Sequence, residues 1–256
     1  MLLAVDVGNT NISIGLYNDA DLVAAWRVGT DPTRTEDEYA ALLNSLVSRP
    51  LLSLDDVSGF CMSSVVPATV RPMRLFVEKH LSVTKSVILG PDTDLGIAVR
   101  YQPPADVGPD RLANAVAAHA KYGGPAIVVD FGTATTFDAI AQNGDYLGGA
   151  IAPGIEISLQ ALFSHAARLQ SVEFYPPEKA VGTSTASSLR SGVLFGTASQ
   201  VDGMCARFAA EIGGKPRIIA TGGLADVVAP LCKSIGIVDQ MLTLDGLRII
   251  FGRVEG

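Results

Sequence analysis

Two aspartates end apolar runs in this chain, and each is followed by glycine and small polar residues. The first run reads AVDVGNTNISIGLYN over residues 4–18, with Asp6 ahead of Gly8, Asn9, Thr10 and Asn11. The second reads AIVVDFGTATTFDAI over 126–140, with Asp130, 124 residues on (130 − 6), ahead of Gly132 and Thr133. A hairpin needs only two turn residues such as Asn-Gly, so carboxylate, glycine and hydroxyl together ask for more. Backbone N–H groups at such turns can surround phosphate oxygens while the aspartate holds a bridging cation. The alternative is a tight turn whose Asp and Thr side chains satisfy it internally. Recurrence at matching positions favours phosphate, and two such turns suit a triphosphate.

A third cluster is YQPPADVGPDRLANAVAAHA, from Tyr101. Pro109 suits a first helical position, and a carboxylate in the first turn is favoured by the helix dipole. The dipole alone accounts for Asp110. It does not account for Arg111 beside it, nor for Gly108 and Tyr101 ahead of it. A helix start carrying carboxylate and guanidinium presents a base and a fork for a small anionic substrate. Farther on, IIATGGLADVVAP (218–230) ends a strand in Thr221-Gly222-Gly223. Two glycines there admit a flat ring such as adenosine, although a plain strand-to-helix turn explains the stretch by itself. Neither G-x-x-x-x-G-K-[ST] nor G-x-G-x-x-G occurs, so P-loop and dinucleotide-binding folds are unsupported.

The elements that position these residues follow from periodicity. In both copies a strand, an Asp-led turn, a second strand, a short turn and a third strand succeed one another, the third being DLVAAWRV or DYLGGAIA. A repeat of half the chain length implies two similar domains, with the joint expected near residue 115: 1–115 and 116–256. Thr35-x-x-Glu38 is a capping box ahead of an amphipathic helix stopped by Pro50. Helical spacing extends over 68–81, 154–170 and 193–212, and strands are expected at 60–66, 86–90 and 217–223. The class is α/β.

Composition narrows the setting. The 256 residues are 48% hydrophobic with a formal net charge of −7, which disfavours a nucleic-acid-binding face. Cys61, Cys205 and Cys232 lie far apart without a CxxC, so they read as buried thiols of a cytoplasmic protein. No signal peptide or membrane span is expected. His80, His119 and His165 fall in helical segments without carboxylate partners in sequence, and Trp26 reads as a core residue.

In order and spacing, DVGNTN, GPDR preceded by Tyr101, DFGTATT, GGAIAPG and ATGGLA resemble the type III pantothenate kinases, from Met1 to about Gly246. That resemblance implies two ribonuclease-H-like domains of the acetate and sugar kinase/Hsp70/actin superfamily around a nucleotide cleft. It implies ATP-dependent phosphorylation of pantothenate to 4'-phosphopantothenate, the first step of coenzyme A biosynthesis. Asp6, Val7, Gly8, Asn9, Thr10, Asn11, Ile12 and Ser13 would form the first phosphate loop, with Asp6 near the Mg2+ of the nucleotide. Thr133 would touch the triphosphate, Gly222 and Gly223 the adenosine, and Asp130 a monovalent cation, K+ or NH4+. Tyr101, Gly108, Pro109, Asp110, Arg111 and Thr185 would bind pantothenate, with Asp110 as general base. The family is homodimeric through the second half. Departures from its pattern are Thr183-Ser184 in place of Lys-Asn, Pro103-Pro104 in place of Asn-Pro, and Pro109 in place of Ala. A non-catalytic regulatory relative and a superfamily kinase for another small molecule are the alternatives.

Overall fold

The computed structural model describes residues 1–47, 52–165 and 175–254. In chain order its elements are β1 (Leu2–Val7), β2 (Asn11–Asn18), β3 (Asp21–Gly29), α1 (Glu36–Val47), β4 (Gly59–Ser64), α2 (Pro67–His80), β5 (Lys85–Ile88) and α3 (Pro109–Tyr122). Then follow β6 (Ala126–Phe131), β7 (Ala134–Ile140), β8 (Tyr146–Pro153), α4 (Ile155–His165), α5 (Thr185–Arg190), α6 (Gly196–Ile212), β9 (Arg217–Thr221), α7 (Ala225–Val228), β10 (Ile237–Val238) and α8 (Leu242–Val254). Pro50, and residues 166–170 of the helix expected over 154–170, lie outside the described residues.

The chain divides into two compact units. The first is Met1–Ile97 with Tyr101–Ala117 and Thr243–Gly256; the second is Ala98–Arg100 with Ala118–Leu242. Each holds a five-stranded mixed sheet of one topology. The order is β3-β2-β1-β4-β5 in the first and, read in the matching direction, β8-β7-β6-β9-β10 in the second. In both, the aspartate-bearing strand lies in the middle, antiparallel to its hairpin partner and parallel to the next strand.

The repeat extends to register. Asp6 stands opposite Ser13 and Asp130 opposite Thr136, and each hairpin's outer pair shifts register at the same place, Leu16/Tyr17 and Ala139/Ile140. The first loop is one residue longer, because Val7 pairs with Ile12 whereas Phe131 pairs with Thr135.

Apolar side chains seal each sheet under helices. Leu3, Val5, Val7, Ile12 and Ile14 pack with Tyr39 and Leu43 of α1 and Phe76 of α2. Ile127, Val129 and Phe137 pack with Leu159 of α4, Val201 and Cys205 of α6 and Val228 of α7. Trp26 is partly buried against the first of these cores.

Several boundaries move for local reasons. The expected strand 217–223 stops at Thr221, since Gly222 has φ +90°, a conformation glycine alone adopts freely. The strand at 60–66 ends at Ser64, because Pro67 opens α2 one residue before the expected start. The Thr35 capping box forms: the Thr35 N–H donates to Glu38 Oε2 at 2.8 Å, and the Glu38 N–H donates back to Thr35 Oγ1 at 3.4 Å.

Two side-chain readings change. His80 has a carboxylate partner after all, Asp37 Oδ1 at 2.9 Å, brought from α1 by tertiary packing. Cys232 is only partly buried, whereas Cys61 and Cys205 are buried, and burial pushes their thiols up to about 12 and about 11.

Candidate active site

In the first unit, the exit of β1 places Asp6 beside β4, where Ser63 is its register partner. Ser63 is fully buried and its hydroxyl donates to Asp6 Oδ1 at 2.6 Å. Backbone and hydroxyl groups tie down the loop beyond. Gly8 N–H donates to the Asn11 carbonyl at 3.0 Å, Thr30 N–H to the Thr10 carbonyl at 3.0 Å, and Thr30 Oγ1 to the Gly8 carbonyl at 2.6 Å. Asn9 and Thr10 are exposed. Val7 and Ile12 bury their side chains in the core, which leaves only their backbone groups to the loop.

The start of α3 comes to the same strand ends. Val65 continues β4 by donating its N–H to the Val7 carbonyl at 3.0 Å. A Cβ on Gly108 would stand 3.7 Å from the Val65 side chain and would collide with Asp110 Oδ1. A Cβ at position 108 would therefore make the Asp110 carboxylate, which folds back over it, shift. Arg111 N–H donates to Asp110 Oδ1 at 2.9 Å, and the Arg111 side chain is itself buried. Burial raises Asp110 above the ordinary aspartate value of 3.8, against the opposing pull of the Arg111 N–H and guanidinium. Tyr101 is half-buried in this unit.

The second unit repeats the strand exit with different chemistry. Asp130 pairs in register with Thr221, which is buried. A Cβ on Gly222 would collide with Asp130 Oδ1 and stand 2.7 Å from the Phe131 nitrogen, so the second aspartate also needs a glycine beside it. Gly132 N–H donates to the Ala134 carbonyl at 3.0 Å, and Leu224 N–H to the Phe131 carbonyl at 3.3 Å. Thr133 sits at the turn, with Gly154 so close that a Cβ there would stand 2.6 Å from the Gly132 carbonyl. Asp130, Thr133 and Gly222 thus share one strand end.

Thr185 is elsewhere in this unit, exposed at the start of α5. Ser184 caps that helix. Its Oγ accepts the Ser187 N–H at 3.2 Å, while Ser187 Oγ accepts the N–H groups of Ser184 at 2.9 Å and Thr183 at 3.0 Å. The departure at Thr183-Ser184 therefore builds a capping box. A groove of about 990 Å³ runs past Thr185, Ser188, Gly192, Gly196 and Ile155. Its floor includes a π-helical turn, Ser191–Phe195, between α5 and α6.

Sequence reading gave no site role to Ser63, Thr30, Thr221 or Gly154. Ser63 and Thr221 carried a signal: a hydroxyl residue near the end of the apolar run in both FCMSSVV and RIIATGG. Their partner strands are remote in sequence, so the signal has meaning only once the sheet is built.

Two five-stranded mixed sheets of one topology make an α/β fold that solved structures share. An inorganic polyphosphate/ATP-glucomannokinase from Arthrobacter sp. strain KM shares it at a TM-score of 0.54 and 15% identity, over 99% of this chain and 98% of that one. A Baf family protein from Campylobacter jejuni shares it at 0.62 and 20% identity, over 99% and 98%. The family model described as type III pantothenate kinase matches residues 2–207. The type III pantothenate kinase of Moorella thermoacetica is 46% identical over 253 residues, covering 99% of both chains. This chain belongs to the type III pantothenate kinase family.

Ser63→Ala tests how Asp6 is held. Removing the hydroxyl takes away a charge-assisted bond from a part-buried carboxylate, and the expected loss is about 1–3 kcal/mol in urea denaturation.

Proposed function

We infer that this chain transfers the γ-phosphoryl group of ATP to the primary hydroxyl of pantothenate, giving 4'-phosphopantothenate at the start of coenzyme A biosynthesis. The observation that carries this reading is the start of α3, with Asp110 part-buried and Arg111 buried, set beside the Asp6 strand end in a chain of this family.

Phosphoryl transfer asks a protein mainly for positioning and charge neutralisation. Backbone groups of Gly8 to Ser13 receive the phosphates, with Thr133 contacting the triphosphate and Gly222-Gly223 accepting the adenosine. Mg2+ commonly takes one or two protein carboxylates and completes its shell with phosphate oxygens and water, and Asp6 fits that modest demand. A monovalent cation, K+ or NH4+, would be held at Asp130, whose carboxylate is a hard oxygen donor. Such cations neutralise charge on the transferring group.

Asp110 takes the proton of the pantothenate hydroxyl as the new P–O bond forms. The protein meets the need for a stronger base by burying the carboxylate, while the Arg111 N–H fixes one of its oxygens. Arg111 offers a guanidinium to the substrate, with Tyr101 and Thr185 as further contacts. No helix among the described residues is long and apolar enough to cross a membrane.

The homodimer reading rests on the second unit's outer face, where Leu147, Ile151, Ile157 and Leu162 are exposed along β8 and α4, Ile151 to 67%. Light scattering at micromolar concentration is expected to give twice the chain mass; a monomer rejects the interface.

A coupled assay with ATP, Mg2+ and pantothenate is expected to show turnover in potassium and little in sodium alone. No product in either, with ATP still bound, would refute the substrate. Asp110→Asn should fold normally and lose about 10²–10⁴ in kcat. The wild-type rate should fall on acidification through a pH above 3.8, the ordinary aspartate value, because the raised carboxyl regains its proton early. An acid limb at or below 3.8 would remove Asp110 as the base.

A further inference from the structure

Helix α8 lies beyond the stretch that the family model matches, which ends at residue 207, yet it belongs to the first unit with the start of α3. We propose that α8 is a clamp: through Thr243 and Gly246 it fixes the position of the first turns of α3, and so of Asp110. The proposal rests on the role given to Asp110 above.

Two contacts with α3 carry it. Thr243 Oγ1 donates to Asn114 Oδ1 at 2.8 Å, and Asn114 is fully buried one helical turn after Asp110, on the same face. Gly246 then meets the backbone of α3. A Cβ on Gly246 would collide with the Ala113 carbonyl oxygen and stand 2.6 Å from its carbon and 3.0 Å from Cα. No side chain intervenes, so the spacing of the two helices is fixed by backbone contact, with no flexible group to absorb a change.

The other side of α8 is held by the sheet that carries Asp6. The Tyr17 hydroxyl of β2 donates to Asp245 Oδ1 at 2.9 Å. A Cβ on Gly15 would press on Leu244 at 3.2 Å, and one on Gly59 would press on the Phe251 ring at 2.5 Å. The helix therefore relays the sheet's position to α3. Thr243 and Gly246 act as positioning residues, each in contact with α3 one turn or less beyond Asp110.

The demand for such a relay follows from the reaction. A misplacement of about 1 Å far from the chemistry can cost on the order of 10² in rate, and a part-buried carboxylate on a short helix start has few other anchors.

The test uses the full chain with Gly246→Ala, Thr243→Val and Thr243→Ser. Turnover is measured per folded molecule, together with melting temperature and amide exchange across Asp110 to Asn114. Gly246→Ala should lower kcat by about 10²-fold, with KM for ATP unchanged. Thr243→Val should lower kcat by about five- to tenfold, and Thr243→Ser should restore it. Exchange across Asp110 to Asn114 should quicken in Gly246→Ala and Thr243→Val. Wild-type kcat in both variants, whatever their melting temperature, overturns the clamp. If the wild-type chain itself turns over no pantothenate, the functional reading fails and exchange decides alone. Unchanged protection in Gly246→Ala then overturns the clamp, and faster exchange supports it.

Discussion

A carboxylate leaving the end of a buried strand must find donors, because an ionised group taken out of water without partners is expensive. That constraint bears on the three candidate carboxylates, two at strand ends and Asp110 at the start of α3. Asp6 meets it with the Ser63 hydroxyl from the neighbouring parallel strand. Asp110 meets it with the N–H of Arg111, over a glycine that leaves room for its oxygens. Asp130 lies so close to Gly222 that a Cβ there would strike its Oδ1. Much of the surrounding architecture serves to bring a donor or a bare backbone to each carboxylate.

The sheet topology is what makes this possible. A central strand with a hairpin partner on one side and a parallel neighbour on the other opens a crevice beyond its carboxyl end, the place where open α/β sheets bind ligands. Using the arrangement twice gives two strand exits of the same shape. They are not identical: the first loop is longer by a residue and its aspartate has serine as register partner, whereas the second has threonine. We propose that the first exit takes the nucleotide's divalent cation and the second a monovalent one.

Glycine placement shows the same economy. Gly108, Gly154, Gly222 and Gly246 each stand where a Cβ would strike backbone or a carboxylate. Gly108 lies beside Asp110 in the first unit, Gly154 and Gly222 lie at the Asp130 strand end in the second, and Gly246 joins α8 to the helix that bears Asp110. Sequence reading gave weight to Gly108 and Gly222 as neighbours of chemistry and passed over Gly154 and Gly246, whose partners are 22 and 133 residues away (154 − 132 and 246 − 113).

The amino-acid sequence by itself determined what depends on near neighbours. The two Asp-led turns, the hairpins on either side, the Thr35 capping box and the helix start at Pro109 are all visible in it, since each rests on contacts within a few residues. The repeat of half the chain was legible for the same reason, both copies keeping the same local signals. What joins distant segments was decided only by tertiary structure. Ser63 and Thr221 acquire their positions through parallel pairing, His80 meets Asp37 by helix packing, and the last helix, expected with residues 116–256, belongs instead to the first unit. Parallel ladders and helix contacts depend on which surfaces meet in three dimensions, and periodicity along the chain records only that a surface is apolar, not what covers it.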